Sequence, residues 1–212
     1  MGANKPVFRI LGIDEAGRGP VIGPMVICGL LGDERTGRVL KELGVRDSKE
    51  LTPAKREYLA KRIGQLARWI LIKVSPEEID RENLDEIEAR KAVEIVRLLR
   101  PDRTYIDAPG KGGKHFAGLI ERFGGDISGM VIENRLDKTS PLVAGASILA
   151  KVARDAEIKE LYKDYGIFGS GYPNRRTRQF LEELYKRNKE FPSWVRKRWK
   201  TAKEIGEGFN KI

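Results

Sequence analysis

An α/β fold, with one mixed sheet flanked by helices, is what the sequence predicts, on three observations. Apolar runs rich in Ile and Val, several bounded by Gly or Pro, recur along the chain. Early runs follow one another directly, whereas later ones alternate with helical patterns. The 212 residues are 40% hydrophobic and 34% charged, which is enough apolar material to bury one core and offset chain entropy. In chain order, strands are expected at 8–13 and 25–31, a helix at 53–63, a strand at 69–74 and a helix at 84–99. In that helix Ile87, Ala92, Ile95, Val96 and Leu99 recur at spacings of three and four and form one buried face. Next come a strand at 104–106, a helix at 114–123, a strand at 130–132 and helices at 144–162 and 177–188. No internal repeat or low-complexity linker interrupts them.

Composition narrows the chemistry. One cysteine excludes an intramolecular disulfide framework and a Cys-rich zinc site, and one histidine excludes two-His metal sites and paired-histidine acid/base work. Carboxylates, lysines, hydroxyls or bound cations must carry any catalysis. No apolar stretch reaches the ~20 residues of a membrane span, and the first six residues lack the apolar core of a secretory signal, so a cytoplasmic location is expected. Cys28 sits inside an apolar run and reads as a core residue, and the isolated His115 is assigned no role. Gly110-Lys111-Gly112-Gly113-Lys114 lacks the full spacing of a phosphate-cradling loop and reads as a flexible loop.

The net charge of +10 points to a polyanionic partner, because phosphates neutralised by Lys and Arg release counterions. That charge is concentrated. Between Arg175 and Lys203 stand eleven Lys or Arg and three Glu, interleaved with Tyr185, Phe191, Trp194 and Trp199. The aromatics suit packing on the main body, and the basic face suits a phosphate backbone. A boundary is placed in the glycine-rich stretch after residue 165, dividing a catalytic domain, 1–165, from a basic helical C-terminal region, 166–212.

The acids need a separate account. The first strand runs into Asp14 and Glu15 and then a glycine turn, the strand at 104–106 runs into Asp107, and the strand at 130–132 is followed a few residues on by Asp137. Acids at the ends of buried strands are costly to desolvate unless something positive sits beside them. Strands that each deliver a carboxylate to one sheet edge build a cation site, and carboxylates without His or Cys select Mg²⁺ or Mn²⁺. Two such ions stabilise both the attacking and the leaving oxygen in phosphodiester displacement. In a straight strand Asp14 and Glu15 point to opposite faces, so Gly17 and Gly19 are expected to bend the chain there.

Five segments resemble, in order, those of the archaeal type of ribonuclease HII. They are Asp14-Glu15-Ala16-Gly17-Arg18-Gly19-Pro20, Asp47-Ser48-Lys49-Glu50-Leu51, Tyr105-Ile106-Asp107, the run from Ala146 to Asp155, and Gly169-Ser170-Gly171-Tyr172-Pro173. The resemblance covers nearly the whole chain. It implies an RNase H-like fold with a small helical C-terminal region, and endonucleolytic cleavage of the RNA in RNA–DNA hybrids, including single ribonucleotides embedded in duplex DNA. The resemblance further implies a cut on the 5′ side of the ribonucleotide that leaves a 3′-hydroxyl and a 5′-phosphate. By position, Asp14, Glu15, Asp107 and Asp137 match the family's metal-binding catalytic acids. Gly17-Arg18-Gly19 matches the turn that reads the ribose 2′-hydroxyl together with a tyrosine, here Tyr172, and Lys49 and Lys151 fall in segments that approach backbone phosphates.

The sequence departs from the family pattern in two places. Arg135-Leu136-Asp137 replaces the usual Lys-Ala-Asp, and Asn174-Arg175-Arg176-Thr177 follows Tyr172-Pro173 in place of Ser-Asp-Pro. The last residues, Gly208-Phe209-Asn210-Lys211-Ile212, carry no evident sliding-clamp-binding pattern, and a monomer is expected. Asp155 reads as a salt-bridge partner of Arg154 or Lys159. Two other readings stay open on the residues: another carboxylate-metal nuclease of the same fold, and a basic nucleic-acid-binding module without catalysis. The latter leaves the strand-end acids unexplained, because acids near phosphates weaken binding unless cations bridge them.

Overall fold

The computed structural model describes residues 8–110, 112–164 and 169–209. The boundary expected between residues 165 and 166, the loop residue Lys111, the first residues and the last three therefore lie outside the described residues.

One five-stranded sheet organises the chain, in the order β3-β2-β1-β4-β5. Its strands are β1 (Ile10–Ala16), β2 (Met25–Gly32), β3 (Arg68–Val74), β4 (Arg103–Asp107) and β5 (Met130–Glu133). The first three form an antiparallel meander, and β4 and β5 add in parallel beside β1. The sheet is thus mixed, as expected. The helices are α1 (Glu34–Glu42), α2 (Pro53–Leu66), α3 (Pro76–Arg81), α4 (Leu84–Leu99), α5 (Gly113–Arg122), α6 (Pro141–Lys163), α7 (Arg175–Asn188) and α8 (Lys200–Phe209). The helix α4 has the bounds its periodicity predicts, set by an Asn83 side chain that caps the Asp85 N–H and by Arg100 in the left-handed region at its end. The short or charged helices α1, α3 and α8 carry no expectation from the sequence. Leu40 is the one residue α1 buries, too little for a recognisable stripe.

Alternation along β1 sorts its side chains onto two faces. Leu11 and Ile13 point into a core with Ile87 and Ile95 of α4 and Phe116 and Ile120 of α5. The opposite face meets α6, α2 and α1 through Cys28 and Leu30 of β2, with Leu59, Ile63 and Leu142. Cys28 is fully buried there, and burial, with Asp14 adding to it, pushes its thiol far above the ordinary range, as befits an inert core residue. At Gly12 the strand and α6 touch backbone to backbone: a Cβ would stand 2.4 Å from the carbonyl carbon of Leu142.

The C-terminal segment packs a third core. Leu181 and Leu184 of α7, Phe191, Val195 and Ile205 close over Val21, Ile22 and Ile158. The tail aromatics Tyr185, Trp194 and Trp199 border this core, in line with packing. The chain just after β1 is gripped from both sides. The Val21 N–H donates to the Gly171 carbonyl at 2.9 Å, the Arg196 N–H donates to the Val21 carbonyl at 2.9 Å, and Ile22 bridges to Val195.

Candidate active site

β1 and β4 run parallel with Ile13 opposite Ile106, so the next residue on each strand is an aspartate, Asp14 and Asp107. β1 continues straight through both acids to Ala16, with Asp14 opposite Cys28 and Glu15 opposite Ile27 on β2. The bend expected at the acid pair comes instead at Gly17, whose φ is +93°, because ladder bonds to β2 hold the strand extended until then. Although strand period alternates successive side chains, the Glu15 carboxyl still hydrogen-bonds the Asp14 side chain, so the two acids stay in contact.

The third acid arrives by a different route. Past β5, Arg135 takes a left-handed conformation and Leu136–Lys138 form a single 3₁₀ turn. The Leu136 N–H donates to Asp107 Oδ1 at 3.0 Å, which ties that turn to β4. One carboxylate oxygen from each of Asp14, Asp107 and Asp137 then lies within 4.8 Å of the other two. Asp14 and Asp137 are 6% and 7% exposed.

The electrostatics of this cluster suit a cation. Burial, then the charges of Glu15 and Asp107, raise Asp14 well above the usual carboxylate range, although a hydrogen bond from Ser147 opposes the rise. Asp107 is raised by burial and by Asp137, against the Leu136 N–H, and Asp137 is raised by burial and by Asp47. An all-oxygen set of crowded, desolvated acids fits a hard divalent ion, which relieves the repulsion and replaces the lost hydration. Lys49 brings positive charge to Asp107 and Asp137.

Glu15 lies outside the cluster of three. Its carboxyl is raised by burial and by Asp107 and lowered by Arg18, so it stands between the cluster and the arginine. The Arg18 guanidinium turns away from the cluster and pairs with both Asp85 and Glu88 of α4, while His115 Nε2 approaches Asp85 at 3.3 Å. The turn Gly17-Arg18-Gly19 meets Tyr172: a Cβ on Gly19 would come within 3.0 Å of the tyrosine ring. Tyr172 is 48% exposed. Lys151 pairs with Asp155 one turn along α6, and Asp155 also faces Arg56 at 3.7 Å and Arg154 at 4.0 Å, in place of Lys159.

Several supporting residues escaped the sequence reading. Ser147 bonds Asp14 and lies 3.0 Å from the Ser48 hydroxyl. Asp47 caps the short turn carrying Lys49 and sits beside Asp137. A signal existed for Ser48 and Asp47, which stand in a segment already singled out. Ser147 and Arg154 stand likewise in the run from Ala146 to Asp155, whereas none existed for Arg196, whose burial has no sequence mark.

A raised carboxylate holds its proton more tightly in the folded state than in the unfolded chain. The stability it contributes is therefore intact below the ordinary carboxylate range and is lost as pH rises through the raised folded value. In EDTA, the Tm of the wild type is expected to fall more between about pH 5 and about pH 8 than that of Asp14→Asn, and saturating Mg²⁺ should close the gap. Parallel Tm curves for the two proteins would remove Asp14 as the source of the strain.

Parallel strands that end in a buried carboxylate cluster, on a mixed sheet covered by helices, define a divalent-metal-dependent nuclease of the RNase H-like class. The family model described as Ribonuclease HII matches residues 11–202, and the chain belongs to that family. A ribonuclease HII of Pyrococcus horikoshii is 44% identical over 210 residues, covering 96% of each chain. The crystal structure of ribonuclease H2 from Pyrococcus horikoshii OT3 superimposes with a TM-score of 0.88 at 42% identity, over 97% of this chain and all of that one. The Archaeoglobus fulgidus RNase HII, solved in complex with PCNA, gives 0.81 at 40% identity, over 92% of this chain and 96% of that one.

The chain is thus an endoribonuclease that hydrolyses RNA in RNA–DNA hybrids with metal assistance, and the reading as a binding module without catalysis falls away. Among the described residues no helix is long and apolar enough to cross a membrane.

Proposed function

We propose that the chain cuts duplex DNA on the 5′ side of an embedded ribonucleotide, as well as long hybrids, leaving a 3′-hydroxyl and a 5′-phosphate. The carrying observation is the meeting of Gly19 with Tyr172 on the turn that directly follows Asp14 and Glu15. A reader of the sugar placed there is within a few residues of the acids that would hold the metal ions at the scissile phosphate, which ties recognition to cleavage.

Asp14, Asp107 and Asp137, with Glu15 beside them, would hold two Mg²⁺ or Mn²⁺ ions. When bound, the ions supply an activated water and stabilise the charge that develops on the phosphate. The protein's own groups do the positioning. Ser147 orients Asp14, the Leu136 N–H orients Asp107, and Lys49 adds positive charge where a phosphate enters. Backbone groups of Gly17-Arg18-Gly19 reach the 2′-hydroxyl, the one group that separates RNA from DNA at that site. The Arg18 side chain holds the turn through Asp85 and Glu88. Tyr172 packs on the sugar. Lys151, together with exposed basic residues of the 166–212 region, follows the backbone of the duplex. Part of the basic run serves the fold instead, because Arg196 is buried and Arg178 pairs with Glu182 and Glu204. The enzyme acts as a monomer in the cytoplasm.

The test is cleavage of matched duplexes containing one ribonucleotide or one 2′-O-methyl nucleotide, with Mg²⁺, with Mn²⁺ and with EDTA. Only the ribonucleotide duplex should be cut, at the 5′ side and with metal present. Tyr172→Phe should lower kcat/KM about tenfold while duplex binding changes little. Equal cutting of both duplexes would place the ribose reader elsewhere.

A further inference from the structure

The turn Gly17-Arg18-Gly19 is anchored from a part of the chain nearly 180 residues away. The Arg196 guanidinium, 0% exposed, donates from Nη2 to the Gly17 carbonyl at 2.6 Å, from Nη1 to the Arg18 carbonyl at 2.9 Å and from Nε to the Gly23 carbonyl at 3.0 Å. Trp199 Nε1 donates to the Gly19 carbonyl at 3.0 Å. The two side chains support each other, with the guanidinium carbon 5.0 Å from the Trp199 ring centroid. Burial and the nearby Arg154 lower the Arg196 pKa only to about 9, so it stays cationic at neutral pH.

All three carbonyls of the turn therefore point to the C-terminal segment. In a planar trans peptide the N–H points opposite to the C=O. Holding the carbonyls of Gly17 and Arg18 inward turns the N–H groups of Arg18 and Gly19 outward, and the third peptide leads into Pro20, which has none. Burial agrees with this orientation: Gly17 is buried and Gly19 is exposed.

We infer that Arg196 and Trp199 are positioning residues for the ribose-reading turn, setting the direction in which the Arg18 and Gly19 N–H groups meet the sugar. This rests on the turn being the ribose reader, as proposed above. It assigns to the basic C-terminal run a task distinct from binding phosphates. Arginine is required because its planar fork reaches three carbonyls at once, whereas one lysine ammonium on a flexible stem cannot match that geometry.

The experiment uses the full chain with Trp199→Phe and Arg196→Lys. Three quantities are read: the ¹⁵N–¹H shifts of Arg18 and Gly19 without substrate, kcat/KM on a duplex with one ribonucleotide, and affinities for Mn²⁺ and for the all-DNA duplex. Both amide signals should move, and kcat/KM should fall about tenfold in Trp199→Phe and further in Arg196→Lys. Affinity for Mn²⁺ and for all-DNA duplex should stay within about twofold, which a general loosening of the fold would not allow. Should Arg196→Lys fail to fold, Trp199→Phe, which keeps an aromatic ring, decides alone. Unmoved amide signals in a folded variant overturn the anchoring. Signals that move while kcat/KM holds uphold the anchoring and overturn the ribose reading beneath it.

Discussion

Asp14→Asn and Asp107→Asn are each expected to slow hybrid cleavage by about a thousandfold or more, equivalent to about 4 kcal/mol of lost transition-state stabilisation. The substitution keeps the shape of the side chain. An asparagine oxygen can still accept from the Glu15 N–H, which lies 2.8 Å from Asp14 Oδ1, and at position 107 from the Leu136 N–H. What disappears is one negative charge from a cluster whose three oxygens lie within 4.8 Å of one another. A divalent ion bound by fewer charges is held less tightly and out of place, so the loss falls on the chemical step. The fold should survive and gain stability without metal, because the repulsion is removed. Single-turnover rates at saturating Mg²⁺, with the Tm of each variant in EDTA, provide the check. Turnover near that of the wild type in either variant would refute the assignment. Asp137→Asn should lose less, because Asp47 stands beside it and keeps negative charge at that edge of the site.

Gly12→Ala is the substitution expected to damage the fold most among the sheet glycines considered, by about 3 kcal/mol, or roughly 6–12 °C in Tm. The new methyl would stand 2.4 Å from the Leu142 carbonyl carbon and 2.5 Å from the Val143 nitrogen. Both atoms are backbone of the first turn of α6, so no rotamer change relieves the clash. The helix must move off the sheet, and its buried residues Val143, Ala146 and Ala150 lose their fit. Ser147 moves with it, away from Asp14, and cleavage should fall as well. Gly29→Ala is the control. Its methyl also meets a neighbour closely, at 2.3 Å, but that neighbour is the Cγ2 of Ile95, a side chain able to repack. Urea unfolding of both variants should rank Gly12→Ala clearly lower. An equal loss in the two would show that α6 yields as readily as a side chain.

Much of the architecture was legible because it rests on local pattern. Strand β1 alternates Leu11 and Ile13 with Gly12 and Asp14, so its two faces could be separated by period alone, and α4 announces itself through one apolar stripe and an asparagine cap. Asp14 and Asp107 were legible for a related reason: a carboxylate at the end of an apolar run demands a counter-charge wherever the strand lies. The place of the bend expected at the Asp14–Glu15 pair was not, because a glycine marks where a chain is free to turn, whereas the ladder to β2 decides where it does. Helix α8 stayed hidden inside a run of charge, its buried Ala202 and Ile205 too sparse to stand out.

By itself, then, the sequence determined the mixed α/β class, the strand-end acids and the cation chemistry they require, since each follows from side-chain type and spacing over a few residues. Tertiary structure alone decided which charges are solvated and which are buried. Arg18 pairs with Asp85 and Glu88, and Arg196 leaves an otherwise basic surface run to hold the Gly17 turn. The physical reason is that a charge has the same appearance in sequence whether water or a protein carbonyl satisfies it. Only the fold brings its partner from far along the chain.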